Sequence, residues 1–317
     1  MKLIVSELEF LRTYVSREFY HVMTDLITHF NWTHVETDKL LHASGTMKDR
    51  LLAQCHELPE TILFWEAYHL LAAHARDIYQ LPCRKVIWVD DLHWWDQRMR
   101  TGKAVGFALC DMVISTVGYL WNKFYPEFAG TKKVVWVPHS ASPDFMVPYN
   151  HNPENAILVS GAAGNYYPLR DRMRALQHQG AYSIVSQDHP GYYMGFDYDR
   201  NESVGCGFAR RINQHRAAFT DSSIFNYVLA KYFEIPATGA LLVADDAVSG
   251  PLRQLGFIEN EHYLPVSADN LEEKIAFVLD QRNHDELDQT RKRGQELVWA
   301  RHNTIDRARQ IDWVCTN

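Results

Sequence analysis

The sequence lacks the features that usually mark a metal centre, a membrane protein or a nucleic-acid-binding protein. Its five cysteines are far apart and form no CxxC pair, which argues against a zinc site or a disulfide framework. No apolar stretch approaches the roughly 18 residues of a membrane span, and residues 1–10 have no long apolar core, so we expect neither a span nor a signal peptide. The net charge is −7 without a long basic run, which argues against a nucleic-acid backbone or an anionic membrane as the main partner. We therefore expect a cytoplasmic protein.

The chain is long enough for two domains and apolar enough to fill their cores. It has 317 residues, of which 46% are hydrophobic, and two domains of about 150 residues each would account for this length. Short apolar runs such as Thr61–Trp65 alternate with helical stretches, which predicts an α/β fold with parallel sheets. The polar, proline-flanked segment Pro148–Glu154 is typical of a linker. We expect an N-terminal domain at 1–150, a C-terminal domain at 151–302 and a final helix at 303–317.

The segment 219–246 combines two apolar strands, a polar turn and a helical pattern in one continuous unit. Its first strand ends in the polar residues Thr220–Ser223, which are followed by apolar residues at helical spacing, so we expect a helix to begin directly after them. Ligands of doubly wound sheets bind beyond the carboxyl ends of the strands, and helix N-termini bind anions. Ser222 and Ser223 are therefore candidates for phosphate contacts, and Glu234 suits a pair of sugar or ribose hydroxyls. In the alternative interpretation the serines only cap the helix and Glu234 is solvated.

Small residues follow the strand that is predicted at Ala156–Ser160. Gly161 and Gly164 would let the backbone approach a ligand closely, although the pattern is neither GxGxxG nor a P-loop. A further predicted strand ends in the aromatic-rich loop Asp188–Tyr193. Aromatic rings in such a loop could stack on a nucleobase, or they could only pack the loop.

Lys231–Gly239, with the sequence KYFEIPATG, resembles the donor-site signature of two-domain GT-B glycosyltransferases, especially of the CgeB-like and group 1 families. Segments similar to those of the family also occur at Val134–Phe145, Tyr167–Arg170 and Gly256–Tyr263, and the resemblance covers most of residues 105–312. It implies a GT-B fold, in which two Rossmann-like domains have parallel sheets facing a central cleft and a last helix returns to the first domain. It also implies retaining transfer of a sugar from a nucleoside diphosphate sugar to an acceptor held by the first domain.

The resemblance also indicates which residues bind the donor. Glu234 would hold the ribose hydroxyls and Arg170 would clamp the diphosphate, unless Arg170 is only a surface arginine. Helix N-termini and basic side chains stabilise the leaving diphosphate in this fold, so no metal or other cofactor is expected. Asn226 stands where many group 1 enzymes have a glutamate that faces the transferred sugar, and this departure leaves the donor sugar open. The complete predicted donor-binding set is Gly161, Gly164, Tyr167, Arg170, Ser222, Ser223, Asn226, Lys231 and Glu234.

Polar residues also follow the predicted strand Lys85–Val89 in the first half of the chain. His93 with Asp91 could form a general acid–base pair or anchor an acceptor hydroxyl, and together with Asp90 the two could bind a divalent ion. They could also be a helix cap and a packed ring. The resemblance favours His93 as the catalytic residue, because group 1 enzymes often place a histidine near the transferred sugar. His139 is expected to belong to the hinge or to line the cleft.

Two other functions compete with the glycosyltransferase. A non-catalytic nucleotide-sugar-binding protein would retain the donor site, and the asparagine at position 226 motivates this alternative. A metal-dependent transferase or epimerase would use Asp90, Asp91 and His93. The donor base, the sugar, the acceptor (glycan, lipid, protein or small molecule) and the oligomeric state stay open.

Overall fold

The computed structural model describes residues 1–162, 164–193 and 195–317. The chain forms two compact units. Unit 1 contains Met1–Arg12, Phe19–Pro138 and Ile305–Asn317, and unit 2 contains Thr13–Glu18 and His139–Thr304. The chain thus leaves unit 1 ahead of the polar segment that the sequence suggested as a linker. Ala163, within the predicted glycine-containing turn, lies outside the described residues.

Unit 1 is built on a six-stranded, entirely parallel sheet with the strand order β2-β1-β3-β4-β5-β6. Its strands are β1 (Lys2–Ser6), β2 (Trp32–Glu36), β3 (Thr61–Trp65), β4 (Arg84–Val89), β5 (Met112–Ser115) and β6 (Lys133–Trp136). Every residue of β3 is buried, which explains why this strand is a continuous apolar run in the sequence. Between the strands lie α1 (Leu8–Arg12), α2 (Glu18–Phe30), α3 (Thr37–Leu41), α4 (Met47–Cys55), α5 (Tyr68–Ala73), α6 (Ala75–Tyr79), α7 (Gln97–Leu109) and α8 (Trp121–Phe124).

The apolar pattern at Phe10–Phe30 predicts one helix, whereas the structure has two, α1 and α2. The helical pattern at Phe10–Phe30 is interrupted by the non-helical segment between α1 and α2, because this segment makes tertiary contacts. The Phe196 amide donates a hydrogen bond to the Thr13 carbonyl over 3.0 Å, and Arg17 pairs with Asp144. Such contacts override helix propensity.

Unit 2 is built on a five-stranded parallel sheet with the order β11-β10-β9-β7-β8. Its strands are β7 (Glu154–Gly161), β8 (Ile184–Asp188), β9 (His215–Thr220), β10 (Leu241–Asp245) and β11 (Leu264–Val266). Its helices are α9 (Pro168–Gln179), α10 (Gly205–Gln214), α11 (Lys231–Ala237), α12 (Ser249–Gln254), α13 (Leu271–Leu279) and α14 (His284–Arg301). After β7 the chain adds β8 on one side of this strand and then β9 on the other side. Open α/β sheets bind ligands at such a switch point.

The helix predicted to begin after Ser223 was placed wrongly, since α11 begins only at Lys231. Ser223 and Asn226 have φ values of 59° and 62°, and this left-handed conformation does not continue a helix. Ile224 is 51% exposed and so does not belong to a core-facing stripe. The apolar spacing in this segment is therefore that of a turn followed by a short helix.

The last helix, α15 (Thr304–Thr316), contributes to the core of unit 1. Its Ala308, Ile311 and Cys315 are buried in a cluster with residues of β1, β3 and α2. No helix in the described ranges is both long and apolar enough to cross a membrane.

Candidate functional site

The switch point of unit 2 brings together a glycine and two basic side chains. Gly161 ends β7 with a φ of 108°, which favours glycine. A Cβ atom at this position would lie 2.9 Å from Nη1 of Arg170 and 3.5 Å from Cε of Lys231. The absence of a side chain at Gly161 therefore makes room for both cations beside the end of the strand. Gly161, Arg170 and Lys231 all belong to the predicted donor-binding set.

Arg170 is not a surface arginine, because it forms a buried ion pair with Asp221. Its Nη2 lies 2.9 Å from Oδ1 of Asp221, and its backbone amide donates to Oδ2 over 3.0 Å. Its Nη1 donates to the carbonyl oxygen of Ala162 over 2.8 Å, and the guanidinium lies over the Tyr167 ring at 4.0 Å. Both members of the pair are almost fully buried. A diphosphate would therefore have to share Arg170 with Asp221.

Ser222 and Ser223 stabilise a turn and do not cap a helix. The Ser222 hydroxyl donates to Oδ2 of Asp245 over 2.5 Å. The Ser223 hydroxyl accepts from the Phe225 amide over 3.2 Å, and the Ser223 carbonyl accepts from the Asn226 amide over 3.2 Å. The prediction that the two serines contact phosphate relied on a helix N-terminus at this position. Because no helix begins here, that reason no longer applies.

Lys231 and Glu234 lie on α11; Glu234 is buried and Lys231 is half-buried, and the described part of the chain pairs neither of them. Glu234 is only 7% exposed, and burial raises its pKa to about 7 even though the charge of Lys231 opposes the shift. Burial also lowers the pKa of Lys231. Within the described ranges, neither side chain forms a hydrogen bond or an ion pair. Burying such groups without partners costs free energy, which is typical of a ligand site.

A second buried group acts on Glu234 through its charges and includes a residue that sequence reasoning missed. Nδ1 of His139 is 2.7 Å from Oε2 of Glu18, and Oε1 of Glu18 accepts from the Ser140 amide over 2.5 Å. Glu18 and Asp144 raise the pKa of Glu234 and His139 lowers it, so all three act on its carboxyl group. The sequence around Glu18 does not indicate a role at the site, because Glu18 meets His139 only in the folded chain.

The loop after β8 is also close to the two cations. Burial, together with the charges of Lys231 and Arg170, lowers the pKa of His189 to about 4. The Gly191 amide donates to Nδ1 of His189 over 3.0 Å, so the proton of the neutral ring is on Nε2. The ring centroid of Tyr192 lies 4.3 Å from that of His189. The aromatic-rich loop is thus held at the same edge of the sheet as the donor-binding candidates.

In unit 1, His93 and Asp91 follow β4, and the His93 ring is too far from the Asp91 carboxylate for a charged hydrogen bond between these two groups. Nδ1 of His93 is 3.8 Å from Oδ1 of Asp91, which exceeds a hydrogen-bond distance. Burial and the charge of Lys103 lower the pKa of His93 to about 4. The ring is therefore neutral at pH 7, which suits hydrogen bonding to a hydroxyl better than general acid catalysis.

Glu66 is a second candidate in unit 1 that sequence reasoning missed. It directly follows β3 with a φ of 42°, and its Oε1 accepts from the Asp90 amide over 3.3 Å. Burial raises its pKa to about 7. Its position immediately after a fully buried strand is the signal that could have identified it. In the part of the chain that the structure describes, no group of three or more His, Cys, Asp or Glu side chains is arranged to hold a metal ion.

Comparisons with known proteins agree with this architecture. Residues 174–312 match a family model described as "Glycosyl transferase-like". No curated protein matches the chain in sequence. Among solved structures, sucrose-phosphate synthase from Thermosynechococcus elongatus is similar over 99% of this chain and 97% of its own, with 13% identity and a TM-score of 0.65.

Two further structures are similar over whole chains. An alpha-glucosyltransferase in complex with UDP-glucose and DNA containing an abasic site covers 100% of both chains, with 11% identity and a TM-score of 0.65. Anabaena Alr3699/HepE in complex with UDP and glucose covers 100% of this chain and 99% of its own, with 10% identity and a TM-score of 0.60. These similarities show the predicted GT-B fold.

Proposed function

We propose that the chain is a glycosyltransferase that binds a nucleoside diphosphate sugar on unit 2 and transfers the sugar to an acceptor bound on unit 1. The observation that carries the proposal is the buried carboxyl group of Glu234, which has no partner in the described protein and lies on the same short helix as Lys231. A carboxylate can accept hydrogen bonds from the two hydroxyls of a ribose. The chain would belong to the CgeB-like or group 1 type and would retain the anomeric configuration.

The charges of the site suit a diphosphate. Lys231 brings a positive charge that no carboxylate of the described protein pairs with directly, and Arg170 adds a second charge that Asp221 shares. These two side chains would stabilise the leaving diphosphate without a metal ion. Two of the three fold neighbours were solved with UDP or UDP-glucose, so uridine nucleotides are the first ligands to test.

The first experiment is calorimetric titration with UDP, GDP, ADP and CMP, each with and without a chelator. Micromolar binding of one nucleotide that survives chelation supports the donor site. Binding that is lost in chelator favours the metal-dependent alternative with Asp90, Asp91 and His93. Binding of the sugar nucleotide without turnover on any acceptor favours the non-catalytic binding protein. If none of the nucleotides binds, the transferase proposal fails.

Donor affinity is expected to decrease below pH 7. The pKa of Glu234 is raised to about 7, and the ionised form is the better acceptor for ribose hydroxyls. At pH 6 only about a tenth of the carboxyl groups are ionised, so the affinity should be about tenfold lower than at pH 8. Titration with UDP-glucose measures this, since the sugar nucleotide does not itself titrate in this range. In Glu234→Gln the pH dependence should disappear, and if it persists another group is responsible.

His93→Ala is expected to lower transfer by about 100-fold and to leave donor affinity unchanged. The neutral ring would orient an acceptor hydroxyl, and poor orientation of a reactant costs about this factor. Trp95, which is 63% exposed and lies 4.6 Å from the His93 ring between centroids, would be part of the same acceptor surface. Release of nucleoside diphosphate in the presence of acceptor measures the rate. His42→Ala, at an exposed position of unit 1, is the control, and transfer at the wild-type rate in His93→Ala would refute the assignment.

A further inference from the structure

Unit 2 contains a cavity between the edge strand β8 and the helix α10. Its volume is about 320 Å³, and it is lined by Gln187 of β8, by four residues of α10 and by two residues of the turn before this helix. None of the lining residues belongs to the predicted donor-binding set. Small-molecule sites in proteins have volumes of about 300–1,000 Å³, so this cavity has room for a ligand of the size of a monosaccharide.

The helical side of the cavity is a single face of α10. The lining residues of this helix are Gly207, Arg210, Arg211 and Gln214, at the spacing i, i+3, i+4 and i+7. Residues at this spacing are neighbours on one face of a helix. Two guanidinium groups and one carboxamide therefore belong to the same wall of the cavity.

The opposite wall is formed by the edge strand of the sheet. The Ser186 hydroxyl donates a hydrogen bond to Oε1 of Gln177, which lies on α9. Because successive side chains of a strand point to opposite faces of the sheet, Gln187 points away from α9 and lines the cavity. β8 has a neighbouring strand on one side only, so the cavity lies at the margin of the sheet.

The turn before α10 is packed closely on the helix and contributes Glu202 and Ser203 to the cavity. The Ser203 amide donates to Oδ1 of Asn201 over 2.8 Å, and the Asn201 amide donates to the Asp197 carbonyl over 2.8 Å. A Cβ atom at Gly207 would lie 2.6 Å from both the Asn201 carbonyl oxygen and Cα of Glu202. The glycine therefore allows the turn to hold Glu202 and Ser203 directly beside the arginine face.

Several polar side chains of the cavity have hydrogen-bonding capacity that the described residues do not use. Within residues 1–162, 164–193 and 195–317, the Arg210 guanidinium has no hydrogen bond or ion pair, and the Arg211 guanidinium donates only to Oε1 of Gln214, over 3.2 Å. The Glu202 carboxylate is likewise unpaired in these ranges. Oε1 of Gln187 is buried without a hydrogen-bond partner. A buried acceptor without a partner costs free energy, and a donor group of a bound ligand would remove this cost.

We propose that this cavity is a second ligand site of unit 2 and that it binds a phosphorylated monosaccharide. The planar guanidinium groups of Arg210 and Arg211 match the geometry of a phosphate group. Their two positive charges exceed the single negative charge of Glu202, which favours an anion. The Glu202 carboxylate and the carboxamides of Gln187 and Gln214 can exchange hydrogen bonds with sugar hydroxyls. The proposal does not depend on the donor site.

Calorimetric titration tests the class of ligand. The probes are glucose 1-phosphate, glucose 6-phosphate, mannose 6-phosphate and ribose 5-phosphate, compared with inorganic phosphate and with the free sugars. We expect at least one sugar phosphate to bind at least tenfold more tightly than inorganic phosphate, because it uses both the arginines and the hydroxyl-binding groups. The proposal is wrong if inorganic phosphate binds as tightly as every sugar phosphate. Displacement of the bound sugar phosphate by UDP would place it in the donor site and would also overturn the proposal.

Variants of the two walls test the location of the site. Arg211→Gln is expected to weaken binding of the sugar phosphate by about 30-fold, since it removes a charged partner of the phosphate. Arg293→Gln, which removes an exposed arginine of α14, is the matched control and should bind as the wild type does. Gln187→Ala should weaken the sugar phosphate by about fivefold and leave inorganic phosphate unchanged. Circular dichroism verifies that each variant is folded, and equal affinities of Arg211→Gln and Arg293→Gln would refute the assignment.

This site and the proposed donor site are tested separately. A wild-type protein that binds a sugar phosphate but none of the nucleotides retains the cavity site and loses the donor site. A protein that binds a nucleotide but no sugar phosphate more tightly than inorganic phosphate retains the donor site and loses the cavity site.

Discussion

Glu234→Ala is expected to weaken the binding of a nucleoside diphosphate by about 100-fold. The carboxylate would accept two hydrogen bonds from the ribose, and each bond to a charged group contributes about 1.5–3 kcal/mol. A loss of about 3 kcal/mol corresponds to about a hundredfold change in the dissociation constant. The Glu234 side chain is 7% exposed, and the described protein offers it no hydrogen bond. We therefore expect no other group to replace its carboxylate as the acceptor for the ribose hydroxyls. Calorimetric titration with the nucleotide that the wild type binds measures the effect.

The control for this variant is Glu273→Ala. Glu273 is an exposed glutamate in the first turn of α13 in the same unit, so its removal changes the net charge by the same amount without touching the site. We expect its affinity to equal that of the wild type. An affinity for Glu234→Ala that equals that of Glu273→Ala would show that Glu234 does not hold the ribose.

Much of the fold could be predicted because parallel strands that are buried on both faces leave a direct trace in the sequence. Thr61–Trp65 was recognised as a strand and is β3, and Ala156–Ser160 lies within β7. β2 (Trp32–Glu36) was missed, because it lies at the edge of the sheet, where only Trp32 and Val35 are buried, and it has no apolar run. Burial on both faces therefore determines which strands of this chain are visible in its sequence.

The candidate site could be predicted only where local sequence carries the signal. Glu234 and Lys231 were found because they lie on one short segment that resembles a family signature. The helix start was misplaced because apolar spacing cannot reveal the positive φ at Ser223 and Asn226. The pairing of Glu18 with His139 joins residues that are 121 positions apart, and no periodicity or motif reports such a contact.

Asp221, the buried counterion of Arg170, is a further contact that the sequence does not show. Its removal is expected to have a large effect on the stability of the protein. Asp221 follows β9 whereas Arg170 lies on the helix after β7, and they meet because β7 and β9 are neighbours. Removing one member of a buried pair leaves an uncompensated charge, which costs about 3–5 kcal/mol. Asp221→Ala should therefore lower the free energy of unfolding by about this amount, measured by urea denaturation followed through circular dichroism.

The ion pair between Arg172 and Glu272 provides a matched control for this prediction. It has the same 2.9 Å separation and also involves a residue of α9, but its side chains are 41% and 49% exposed. Because exposed pairs contribute about 0–1 kcal/mol, Glu272→Ala should be almost neutral. The double variant Arg170→Met with Asp221→Leu should recover most of the stability lost in Asp221→Ala, since it removes both buried charges together. Equal small effects of Asp221→Ala and Glu272→Ala would show that the Arg170 guanidinium reaches water or another anion, and such an arginine would be available to clamp a diphosphate.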